Sequence, residues 1–193
     1  MTGGATDAVA RFRAATTEQS CTTHECAPDR VAALIAERCA ALGGLVALSH
    51  TEPALATADL VDALRSAGVE ALPADDPDWR SRIPTAAIGV TTARVAVAEL
   101  GVFAVAAGVG CPRAVSLLPE THICVVTADA VVETFADGLT RVAEGEPAGS
   151  GLPSALLWIG GPSRTGDLEM IVTLGVHGPR AVEIVVVGTG TFG

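Results

Sequence analysis

Two stretches, THICVVT (121–127) and AVEIVVV (181–187), run apolar and largely β-branched with almost no polar alternation. A strand with one face in water alternates apolar and polar residues, whereas a strand covered on both faces does not. Such runs belong to largely parallel sheets with a layer packed on each face. ALLWI (155–159) has the same character. The runs 155–159 and 181–187 are therefore expected as inner strands of one mostly parallel sheet.

Helical periodicity fills the spaces between such runs. Residues 29–42 place Val31, Leu34, Ile35 and Leu42 at helical spacing and stop at Gly43-Gly44. Residues 57–67 carry a Leu60, Val61, Leu64 stripe closed by Gly68. Residues 134–144 open on a Thr134/Asp137 capping pair. Residues 165–173, with Leu168, Ile171 and Val172 on one side, read as a short fourth helix. Shorter strands are expected at 45–49, 69–72, 86–90 and 101–108. The alternation predicts a three-layer α/β fold. A single domain spans 28–193, preceded by an N-terminal arm at 1–27.

The apolar fraction of 49% supports a sizeable core. All twelve basic residues are Arg, which removes a Schiff-base or P-loop Lys and any Lys base. The formal net charge is −10 and Arg is nowhere clustered, so nucleic acid is not an expected partner. No apolar stretch approaches the ~20 residues of a membrane helix, and the first residues lack a secretory apolar region. A cytoplasmic location is expected.

Five scattered cysteines argue against a disulfide framework. CTTHEC (21–26) gathers Cys21, His24 and Cys26, but its spacing fits no common zinc pattern. A polar loop before a helix is the favoured reading of it, and no metal site is expected.

Ligands of open α/β sheets collect beyond the carboxyl ends of strands. Three loops are candidates for that position. In GGPSRTGDLE (160–169), a helix start would offer free N–H groups to an anion. Gly161 lets the backbone approach, Ser163 and Thr165 add hydroxyls, and Arg164 adds a planar fork. Asp167 and Glu169 then steady Arg164 or act in acid–base chemistry; the alternative is a capped helix start with no ligand. In AELGV, Glu99 between apolar neighbours is a candidate base or nucleophile, or a solvent-facing Glu. In RAVSLLPETHI, His122 opens a strand and either reaches a pocket or is structural. His177, in GVHGP, has the same two readings, catalytic or turn-forming.

Taken in order, GVTTARVAVAELG, RAVSLLPETHI, GPSRTGDLE and LGVHGPR resemble the LUD-domain family, whose namesake is lactate-utilisation protein C. The resemblance runs from about residue 88 to 187. It implies a fold similar to the ribose-phosphate isomerase, glucosamine-phosphate deaminase and CoA-transferase superfamily. It also implies a part in oxidising L-lactate to pyruvate, with a small anionic ligand and iron–sulfur partner proteins. The clusters would belong to those partners, with no cofactor in this chain. Glu99 falls at the family's Ala-Glu-x-Gly position. Two other readings stand beside this one. The first is a freestanding isomerase- or CoA-transferase-like enzyme acting on a small phosphate or carboxylate. The second is a structural subunit without a ligand.

Overall fold

The computed structural model describes residues 3–49, 57–108, 110–144, 153–166 and 172–188. Six strands form its main sheet: β1 (Thr22–Cys26), β2 (Leu45–Leu48), β3 (Ala71–Pro73), β4 (Ala86–Thr92), β7 (Thr121–Thr127) and β12 (Ala181–Val187). Every neighbouring pair is parallel, and the order across the sheet is β1-β12-β7-β4-β2-β3. The fold is thus α/β with a mostly parallel central sheet.

The missing polar alternation in β7 and β12 has a direct cause. Val185 and Val187 of β12 join Ile123 and Val125 of β7 in a core beneath α2 (Val31–Leu42) and α3 (Thr57–Ser66). The intervening Val182, Ile184 and Val186 join Cys124 and Val126 in a second core on the opposite face. Successive side chains point to opposite faces, so both registers of the strand must be apolar.

That second core is closed by α1 (Gly3–Glu18) and by a smaller sheet. The small sheet consists of β5 (Val95–Val97), β6 (Val102–Ala107), β8 (Val131–Val132) and β9 (Ala155–Ile159), in the order β8-β5-β6-β9. Helix α6 (Phe135–Glu144) packs on it through Val142. Short helices α4 (Trp79–Arg82) and α5 (Ala114–Leu117) cover the β2–β3 end. Helix α5 comes so close that a Cβ at Gly89 would collide with the Val115 carbonyl.

Several expectations need correction. ALLWI has the extent predicted, but β9 is an end strand of the small sheet, antiparallel to β6 and half-exposed throughout. An apolar run records burial; it carries neither direction nor sheet membership. CTTHEC is not a loop, because Thr22–Cys26 is the edge strand of the main sheet. Its β-branched threonines suit a strand, and an edge tolerates polar side chains. Residues 165–173 do not begin or end as a helix. Arg164–Gly166 (β10) and Val172–Leu174 (β11) pair antiparallel, with Thr165 opposite Thr173. Thr, Val and Leu at these positions serve a ladder as well as a helix stripe, and Gly166 disfavours the helix. The segment 1–27, expected as an arm, supplies both α1 and β1, with Phe12 and Thr16 wholly buried.

One charged residue lies inside an inner strand. Glu183 of β12 is 6% exposed. It accepts hydrogen bonds from Arg38 Nε and Nη2, both at 3.0 Å, and lies 2.9 Å from His24 Nε2. Burial pushes the Glu183 carboxyl up, but the bonds and charges of Arg38 and His24 outweigh it. The net effect holds the group below its usual range. A depressed carboxyl contributes stability above its unfolded pKa, and that contribution is lost as pH falls through the folded value. Glu183→Gln should therefore cost about 2 kcal/mol near neutral pH, the range for hydrogen bonds to charged groups. The gap from wild type should shrink below about pH 4, where the unfolded carboxyl also takes up its proton. Urea unfolding of both proteins across the acid range checks this; a gap that does not change with pH refutes it.

Candidate functional site

The last turn of α1 is the meeting point of several family blocks. Gly161 has φ 137, and a Cβ there would strike the Gln19 carbonyl. A Cβ at Gly101, in the β5–β6 turn after Glu99, would strike Ala15 and Thr16 of the same helix end. Arg164 Nη2 donates to the Gln19 carbonyl at 2.7 Å and to Ser20 Oγ at 2.7 Å. Ser20 has φ 66, a left-handed conformation unusual for a residue with a Cβ. The Arg164 bonds secure that turn just before β1 begins.

Ser163 links this corner to the second block, GVHGP. Its N–H donates to the Pro179 carbonyl at 2.8 Å, and its carbonyl accepts from Gly175 N at 2.9 Å. His177 N donates to Ser163 Oγ at 3.4 Å, and Gly178 packs on the Ser163 side chain. The chain then enters β12, with Arg180 N and Ala181 N both donating to the Glu120 carbonyl at the start of β7. Ser163 and His177 are thereby brought together from separate blocks, with Arg164 and His177 exposed and Ser163 and Thr165 half-buried.

This corner lies at the amino edge of β1, β7 and β12, not at the carboxyl edge expected from the fold class. The reason is topological. β9 belongs to the small sheet, and the turn that leaves it brings Gly161 against Gln19, just beyond α1 and before β1. The helix start expected to bind an anion is replaced by the β10–β11 ladder, and Arg164 is engaged with Gln19 and Ser20. Asp167, with Glu169, lies outside the described residues.

Two further candidates have structural partners. Glu99 is exposed, not enclosed by Val97 and Val102, and its Oε1 accepts from Phe135 N at 2.7 Å. It completes the start of α6, where Thr134 and Asp137 bond reciprocally. His122 does not reach a pocket. It is wholly buried, with Nε2 2.8 Å from Thr91 Oγ1 and its ring 6.0 Å from Phe103. Burial pulls its pKa down to about 4, so the ring is neutral at pH 7.

The five cysteines are all buried. Cys21 faces the α1 core and Cys26 the α2 core, so the pair lies on opposite sides of the sheet. His24 between them is taken by Glu183. Burial pushes Cys21 up to about 11 and Cys39 up to about 12, so both thiols stay protonated. The sequence reading missed three elements of the site and core: Gln19, Ser20 and Glu183. A carboxylate inside an otherwise apolar strand was the available signal for Glu183. Gln19 and Ser20 left none, because their role is a backbone carbonyl and a turn.

The LUD domain model matches residues 6–187. A lactate utilization protein C from Deinococcus radiodurans is 36% identical over 127 residues, 63% of this chain and 56% of that protein. A namesake from Halalkalibacterium halodurans is 38% identical over 100 residues, 51% of this chain and 44% of that one. The chain spans about half the length of the curated relatives it matches. A crystal structure of a DUF162 family protein from Deinococcus radiodurans has the same fold. Its TM-score is 0.67 at 23% identity, covering 96% of this chain and 99% of that one.

The Arg164 contacts predict a structural effect of substitution. Arg164→Ala should lower stability by about 1–2 kcal/mol, the scale of two modest hydrogen bonds. Amide exchange should accelerate at residues 19–21, while α2 and α3 keep their protection. Unchanged exchange at 19–21 would show that Arg164 does not hold that turn.

Proposed function

The chain belongs to the LUD-domain family, and from that premise we propose that it is a component of a system oxidising L-lactate to pyruvate. The family match across 6–187, with relatives named lactate utilization protein C, carries the reading. Oxidising a 2-hydroxy acid removes two electrons and two protons. The electrons require a redox centre, and clusters are usually held by four close thiolates. The cysteines here do not fit that need, since they are buried, on different faces and protonated at neutral pH where the shift is large. Iron–sulfur partner proteins supply the electron path in this reading.

What this chain contributes is the corner around Ser163. His177 is exposed and its ring is open to a ligand or partner. Arg164, next in sequence to Ser163, carries fixed positive charge, and its bonds to Gln19 and Ser20 hold the corner in shape. A small carboxylate, or an acidic surface of a partner, suits a corner of that charge. A freestanding isomerase- or CoA-transferase-like enzyme is less well supported, because Glu99, its candidate base or nucleophile, is committed to the start of α6. Among the described residues no helix is long and apolar enough to cross a membrane.

Deleting the gene in its host should abolish growth on L-lactate as carbon source and leave growth on pyruvate intact. Wild-type complementation should restore growth, and His177→Ala should restore it poorly although the protein accumulates normally. Unimpaired growth of the deletion strain on L-lactate would sink the proposal.

A further inference from the structure

We propose that His122 makes the contact between the two sheets acid-sensitive, so that mild acid opens the small sheet from the main one. Side chains alternate along β7, so His122 shares a side with Cys124 and Val126, the side of the α1 core. Its ring meets Phe103 of β6 in the small sheet, with 6.0 Å between ring centroids. Gly89 of β4 and Val182 of β12 lie beside it in register, and α5 closes on Gly89 through the Val115 carbonyl. The wholly buried ring thus stands at the joint where the small sheet lies on the main one.

The joint has no place for a second ring proton. Thr91 Oγ1 lies 2.8 Å from His122 Nε2 and donates to Cys124 Sγ at 3.7 Å. A hydroxyl has one proton, so Nε2 is the donor to Thr91 and Nδ1 is the bare nitrogen. Nδ1 finds no hydrogen-bond partner among the described residues. The neighbours offer no counter-charge either. β4 presents Thr91 and Gly89, β6 presents Phe103, β12 presents Val182, and α5 carries no ionisable side chain. Cys124 on β7 is the titratable group in the network. Glu120 and Arg113 are exposed, and Glu183 faces α2 on the other side of the sheet, bonded to Arg38. Protonating the closed state therefore buries an unpaired charge, which is costly. Burial alone accounts for the lowered pKa of about 4, whereas a ring in water has one near 6.5. A group whose pKa is depressed by burial as a cation weakens the closed state as pH falls below the open value. Between about pH 7 and pH 5 the opening constant should rise about twentyfold, above the range in which carboxylates titrate.

The device stands apart from the lactate reading, and its test needs no partner protein. Amide exchange of the full chain, corrected for the intrinsic pH dependence of exchange, gives protection factors for each segment. From about pH 7 to about pH 5, protection at β5 and β6 should fall about twentyfold. Protection at α2, packed on the opposite face, should hold. His122→Gln keeps a donor for Thr91 but cannot take up a proton, so its β5 and β6 protection should not change with pH. Because that variant places a different shape in a packed core, the wild-type ring supplies a second measurement. Nitrogen NMR of histidine-labelled protein should show His122 neutral in the native fold down to about pH 5, with the ring proton on Nε2. Equal loss of protection in α2, the same pH dependence in His122→Gln, or a native His122 ring that titrates near 6.5 would each overturn the proposal.

Discussion

Strand β12 lies between β1 and β7 and serves two cores at once. Val185 and Val187 close the α2 side, and Val182, Ile184 and Val186 close the α1 side. Removing apolar side chains from water on both faces is the largest favourable contribution such a strand can make. The cost is that a polar residue inside it must be satisfied locally. Glu183 meets that condition through Arg38 from α2 and His24 from β1, so one carboxylate ties the inner strand to the edge strand and to a covering helix.

The corner around Ser163 depends on the same arrangement. β12 begins where Pro179 receives the Ser163 N–H, and β7 begins where Glu120 receives Arg180 N and Ala181 N. The corner therefore inherits its position from strand register. Its remaining support comes from α1, where Gly101 and Gly161 press on the last turn and Arg164 bonds to Gln19 and Ser20 just beyond the helix. Two of the blocks that carry the family resemblance, the one ending in Gly101 and the one with Gly161 and Arg164, thus press on the end of α1.

Much of the fold was legible, because burial on two faces leaves a clear mark on composition. THICVVT and AVEIVVV correspond residue for residue to β7 and β12. What composition does not encode is partnership. ALLWI gave the extent of β9 but not the small sheet it joins, and the Leu168, Ile171, Val172 spacing suggested a helix where Val172–Leu174 pairs with Arg164–Gly166. Of the candidate residues, Ser163 and His177 meet through a hydrogen bond and Arg164 follows Ser163, at an amino edge set by β9 belonging to the small sheet. Glu99 and His122 looked chemical because a lone carboxylate or imidazole among apolar residues has the same appearance whether it caps a helix, bonds a buried threonine or acts on a substrate.

The placement of β12 also has a consequence for synthesis. β1 pairs only with β12 among the described strands, and their partners His24 and Glu183 are 159 positions apart. At about 5–20 residues per second, a ribosome needs roughly ten to thirty seconds to make the stretch between them. During that interval β7 presents an open, β-branched edge and β1 has no neighbour. Closing so long a loop is entropically costly and slows folding, while an open apolar edge invites pairing with other chains. A chain released before β12 is made would keep that open edge, so β12 is the strand that seals the sheet from within.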